Sequence, residues 1–252
     1  MNPKTDNPEI NDKVYSQTAL SIWVWVAIFS IAFAWVESAV VVYLRTIYFD
    51  GGFSFPLTIN YENGQHVFNP LVRIEFGREI ATIIILSAVG IIAGKKPFHR
   101  FCFFMIAFGI WDIFYYIWLY IMVGWPESLM TWDLLFYVPL PWVGPVITPV
   151  LIAMAMVAAG SLVIYCAAKG YEIRWRWYDM VVELGCAAIM IVAFCWDWKN
   201  ILQIPGEIKR SGFPNPFAWW LYLPGYLFSI TYFVLRLGQS ITAKRPANPH
   251  SF

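Results

Sequence analysis

Apolar residues gather in six long stretches, at roughly 20–47, 77–94, 98–123, 143–168, 177–198 and 217–237, with shorter polar segments between them. Each stretch is long enough to cross a hydrocarbon core of about 30 Å as a helix. The runs are continuous, whereas the strands of a membrane β-barrel alternate in polarity from one residue to the next. The pattern therefore predicts an all-α polytopic membrane protein. It is a six-transmembrane-helix bundle over 20–238, flanked by tails at 1–19 and 239–252.

One segment interrupts the pattern. GWPESLMTWDLLFYVPLPWVGPVITPVL, residues 124–151, carries Pro126, Pro139, Pro141, Pro145 and Pro149. Its middle, LLFYVPLPWVG, is too apolar for a solvated loop and too short to span. A proline-rich re-entrant or interfacial segment at about 126–142 is expected before the fourth span. Pro145 and Pro149 interrupt the start of that span, and Pro224-Gly225 the sixth. Each proline removes an amide hydrogen and frees the carbonyl one turn back. Freed backbone at membrane depth is tolerated where protein covers it or a wet cavity borders it.

Composition agrees with the pattern. The chain is 60% hydrophobic and 13% charged, against about 25% charged in a soluble domain. Lys and Arg then set the orientation. With the N-terminus inside, eleven of the 17 basic residues fall in cytoplasmic segments and six in outer ones. That excess places both termini in the cytoplasm. The clearest marker is GKKPFHR, residues 94–100, a tight basic turn between spans two and three. A net charge of +1 gives no reason to expect nucleic acid. The three histidines, His66, His99 and His250, fall in loops and a tail. Haem ligation by paired histidines and zinc hydrolysis through histidine ligands are thus not expected.

The candidate chemistry lies in a few acids inside apolar runs. In FGIWDIFYYIWLY, residues 108–120, Asp112 falls near the bilayer midplane. Placing Asp there costs on the order of 2.5–3.5 kcal/mol. Tyr115 and Tyr116 follow at i+3 and i+4, on the same helix face. A hydrogen bond from Tyr or Ser that merely fixes packing is the alternative reading of this acid. Glu37, in the outer half of span one, shares a face with Ser30, Ala34 and Val41 and is expected to point into the bundle. Glu75 and Glu79 are spaced i,i+4, with Glu79 the deeper, and Arg78 and Arg45 are the expected compensating charges. Near the inner end of span five, Asp179 is expected at headgroup level beside Arg174 and Arg176, with Glu183 bonding a neighbour one turn deeper. Asp197 reads as part of an interfacial belt.

Glu37, Glu79, Asp112 and Asp133, with the broken helices, all map to the outer half of the bundle. They predict a polar cavity entered from the outer side, with Asp112 as its floor. The candidate binding set is Asp112, Glu37, Glu79, Tyr116, Tyr115 and Asp133, and no catalytic residue is assigned. The leading expectation is binding and translocation of a small solute or ion, coupled to protons or a cation. A non-catalytic anchor subunit of a larger, quinone-linked complex is the alternative, and an intramembrane lipid-modifying enzyme the third. No cofactor motif is evident, although the carboxylates leave room for a bound cation and the aromatics for a quinone-like lipid. Expected partners are the bilayer itself, other membrane proteins or further copies of the chain. WVESAVVVYLR, FGREIATIIIL, WDIFYY and PWVGPVITPVL resemble stretches of bacterial multi-pass membrane proteins. A bacterial inner-membrane location is expected.

Overall fold

The structure is a computed structural model that describes residues 8–48, 52–53, 68–136, 140–171, 173, 175–196 and 217–240. Among these residues the chain forms α1 (Pro8–Tyr48), α2 (Phe68–Ala93), α3 (Pro97–Val123), β1 (Trp132–Phe136), β2 (Trp142–Pro145), α4 (Ile147–Ala168), α5 (Trp177–Cys195) and α6 (Trp219–Ser240). Five helices, α1 to α5, contain stretches long and apolar enough to cross a membrane. They correspond to the first five predicted spans. α6 has the length, at 22 residues, but its Trp and Tyr content, Pro224 and Arg236 lower its mean hydropathy. At the other end of the chain, α1 starts at Pro8 rather than near residue 20 and runs for 41 residues. Its apolar stretch begins only at Gln17, so the polar leader continues the same helix.

α3 is the hub. It packs against α1, α2 and α4, and close approach is built into its sequence. A Cβ on Gly109 would sit 2.5 Å from the Ala153 carbonyl oxygen of α4, and one on Gly160 of α4 would sit 2.7 Å from the Cys102 carbonyl oxygen of α3. Small residues that let helix backbones meet are the usual device of membrane helix packing, where apolar burial alone gives no preference for helix over lipid. The opposite edge of α3 is tied to α2 by the basic turn. Only Gly94, Lys95 and Lys96 separate the two helices, with Pro97 opening α3. Arg100 Nε donates back to the Gly94 carbonyl at 2.9 Å. His99, expected in an exposed turn, is buried at the start of α3, because so short a connection presses the first helical turn against its neighbours.

α5 and α6 form a pair that packs on the hairpin and α4 through a cluster around Phe194, Phe217 and Tyr222 and is tied there by polar contacts. Tyr222 donates to the Thr148 carbonyl at 2.7 Å and Tyr226 to the Leu151 carbonyl at 3.0 Å. Pro149 has no amide hydrogen for the Pro145 carbonyl, and the Thr148 hydroxyl serves it instead at 2.6 Å. At the far end of the pair, Asp179 is fully buried. It accepts from Arg236 Nε at 2.6 Å, the Tyr232 hydroxyl at 2.7 Å and the Arg176 backbone N–H at 2.8 Å. Arg176, expected beside it, gives its backbone N–H, and the ion pair is with Arg236 of α6, distant in sequence. Glu183 accepts from the Ser229 hydroxyl, as a bond to a neighbour would have it. Asp197 and Arg174 lie outside the described residues.

The proline-rich segment forms an antiparallel β-hairpin. Trp132 pairs with Pro145, Asp133 with Gly144, Leu134 with Val143 and Phe136 with Trp142, with a bulge between Leu134 and Phe136. The register continues outward through Val146 N–H to the Thr131 carbonyl at 2.9 Å and Ile147 N–H to the Leu129 carbonyl at 2.8 Å. Cross-strand bonds thus satisfy this apolar stretch without a helix, which is why it can be too short to span and still be covered. At Gly144 the Phe194 and Phe217 rings press on the strand. A Cβ there would meet Phe217 at 3.0 Å.

Candidate functional site

A cavity of about 160 Å³ opens between α1, α2, α3, α4, the end of α5 and the hairpin. An engineered cavity of about 150 Å³ admits benzene, which sets the scale of what fits. Every carboxylate expected to share a site lines it except Asp133, which stands just behind the wall. Glu37 comes from α1, Glu79 from α2 and Asp112 from α3, and Tyr115 and Tyr116 lie beside Asp112. Arg45 and Arg78 also line it.

Each arginine has defined work. Arg45 donates to Asp133 at 2.6 Å, with the Arg45 side chain 7% exposed and that of Asp133 1%. Its guanidinium carbon lies 4.8 Å from the Phe53 ring centre and 5.3 Å from that of Trp125. These stacked rings fix its plane. Asp133 also accepts from the Tyr116 hydroxyl at 3.2 Å and from the Leu134 backbone N–H at 2.8 Å. One carboxylate on the hairpin thereby gathers α1 and α3. Arg78 forms an ion pair with Glu37 and donates from Nε and Nη2 to Glu75 at 3.0 and 2.8 Å. Glu37 accepts in addition from the Thr82 hydroxyl. The forked guanidinium is what allows one residue to serve acids on two helices.

Asp112 is different. It is 8% exposed and lines the cavity, yet makes no hydrogen bond or ion pair among the described residues. The bond from Tyr or Ser expected of a packing acid is not formed. Tyr116 donates to Asp133, and the nearby Ser38 hydroxyl donates to the Ala34 and Tyr115 carbonyls. The wall around Asp112 is aromatic. Phe108 and Trp111 on α3, Phe136 and Trp142 on the hairpin, and Phe194 on α5 all face the same space. Trp142 and Phe194 stack with ring centres 6.1 Å apart and planes 4° from parallel. That stack joins the hairpin to the α5–α6 pair.

Sequence reasoning named the acids and both arginines but missed this second wall and Thr82. Trp111, at i−1 from Asp112, carries no periodic signal that separates it from a lipid-facing ring. Trp142 and Phe194 meet only through the tertiary fold. Among the described residues no group of three or more His, Cys, Asp or Glu is arranged to hold a metal ion.

Five long apolar helices around a buried charged cluster define a multi-pass membrane protein. No family model, curated protein or solved structure matches the chain.

Proposed function

We propose that this protein binds a small solute in the cavity beneath the hairpin and moves it across the membrane with proton or cation coupling. The observation that carries the reading is the convergence of Glu37, Glu79 and Asp112, from three helices, on one cavity that two arginines also line. Burying acids at such depth costs several kcal/mol unless they act or are paired. Arg78 serves Glu37, while Asp112 keeps an open carboxyl facing the space. In this reading α6 is the sixth crossing, the hairpin is the interfacial cover on the outer side, and both termini are cytoplasmic. Arg78, whose side chain is 24% exposed, marks the mouth. No catalytic role is proposed for Asp112 or Glu37.

The test is reconstitution of the purified chain alone into liposomes loaded with a pH-sensitive dye. Amines, amino acids, carboxylates and monovalent cations are applied in turn. A solute-dependent proton flux that Asp112→Asn and Glu79→Gln both abolish is the expected result. No flux with any solute, together with a stoichiometric partner copurifying from native membrane, would replace this reading with that of an anchor subunit.

A further inference from the structure

We infer that the solute taken by this cavity is a small organic cation, an ammonium compound of about benzene size, with Asp112 as its counter-ion. The inference rests on the cavity-binding reading and names its ligand class. Three observations converge on it.

The first is the state of Asp112. The Asp112 carboxyl lines the cavity and takes no donor from the described residues, and a charge in so largely aromatic a setting is costly unless a partner is supplied. An ammonium supplies both the charge and the N–H donors that the protein withholds. The second is the balance of charge. Glu37, Glu75, Glu79 and Asp112 line the cavity against Arg45 and Arg78. Arg45 is already engaged by Asp133, and Arg78 by Glu37 and Glu75. An anionic solute would face the open Asp112 carboxyl and two guanidiniums already committed to acids. The low-dielectric walls concentrate that negative field within the cavity.

The third is the aromatic wall. Cations are attracted to ring faces, and more strongly where water is excluded. Trp111, Trp142, Phe108 and Phe136 surround the space that Asp112 faces. A hard divalent ion needs six or so oxygen ligands, and among the described residues no three acids are arranged to hold one. A flat anion would leave Asp112 without a donor, and a neutral hydroxyl would supply a donor but no charge. An organic ammonium meets the acid and the rings together, and the volume of about 160 Å³ fits one carrying a single ring or a few alkyl groups.

The experiment uses the full chain in nanodiscs with a cysteine placed at Leu134, which lines the cavity. Labelling by a small neutral thiol reagent is measured as the increment over the unsubstituted chain, and three isosteric probes compete: benzylammonium, benzyl alcohol and benzoate. The expected result is labelling that benzylammonium slows at concentrations where benzyl alcohol and benzoate do not. Adding Asp112→Asn should weaken that protection by roughly tenfold or more, the loss of one desolvated charge contact. Protection by benzoate equal to that by benzylammonium overturns the inference, and that comparison needs no variant at Asp112. Equal protection by benzylammonium with and without Asp112→Asn also overturns it. Labelling that no cation slows overturns the ligand class but leaves an accessible cavity. Absence of labelling overturns both the class and the cavity reading on which it rests.

Discussion

Arg45→Met removes the cation from the most deeply buried ion pair among the described residues of the hairpin end. Methionine retains much of the apolar stem that Phe53 and Trp125 cover, so the loss is chiefly of charge. Asp133, whose side chain is 1% exposed, is left with the Tyr116 hydroxyl and one backbone N–H. Breaking a buried pair from one side costs about 3–5 kcal/mol, because the remaining charge has neither water nor a partner. Arg45→Met should therefore destabilise the fold by about that much. Asp133→Asn alone takes the carboxylate from the guanidinium, which keeps the two rings and the cavity, so a loss of about 2–4 kcal/mol is expected. With both changes no charge is stranded. The amide oxygen can still accept from the Leu134 N–H while its NH2 donates to the Tyr116 hydroxyl oxygen, and the double variant should lose only about 1–2 kcal/mol. The coupling of about 3 kcal/mol or more is the measured quantity. Reversible unfolding of the purified protein in mixed micelles, followed by tryptophan fluorescence against the mole fraction of dodecyl sulfate, yields each free energy. A cost below about 1 kcal/mol for Arg45→Met, typical of an exposed pair, would refute the reasoning. So would single losses that simply add in the double variant.

Other outcomes follow from the same structure. Gly109→Val should lower stability by about 1–3 kcal/mol, since its side chain would meet a backbone carbonyl that cannot move aside; unfolding in the same micelles measures it, and an unchanged midpoint would contradict the close α3–α4 contact. Tyr222→Phe should cost about 1 kcal/mol by orphaning the Thr148 carbonyl, and Tyr222→Phe with Tyr226→Phe should expose the α4–α6 seam to proteolysis before global unfolding. Arg78→Lys should fail to restore what Arg78→Gln loses, because an ammonium cannot present the fork that reaches both Glu37 and Glu75; solute binding to the reconstituted protein is the readout, and full rescue by lysine would show that charge alone suffices. Cysteines in place of Lys95 and Ser128 should be labelled from opposite sides of intact cells, the first only after permeabilisation. Labelling of both from outside would reverse the proposed orientation.

The sequence by itself determined what depends on local composition. Apolar runs specify where helices cross, because the bilayer rewards each span separately and every backbone group must be satisfied within it. The acids Glu37, Glu79 and Asp112 were visible for the same reason, as costly exceptions within those runs. The face that Ser30, Ala34 and Glu37 share is buried in the structure as periodicity implied. What tertiary structure decided was partnership. Asp133 and Arg45 are separated by 88 positions, and Asp179 and Arg236 by 57. No spacing rule could pair them. The hairpin was hidden because an apolar, proline-broken segment reads equally as re-entrant chain. Its strands are chosen by cross-strand bonds and by the rings of Phe194 and Phe217, which belong to other elements. Asp112 needed both levels. Sequence marked it as an acid out of place, and only the fold, by directing Tyr116 to Asp133 and Ser38 to backbone carbonyls, left its carboxyl open to the cavity.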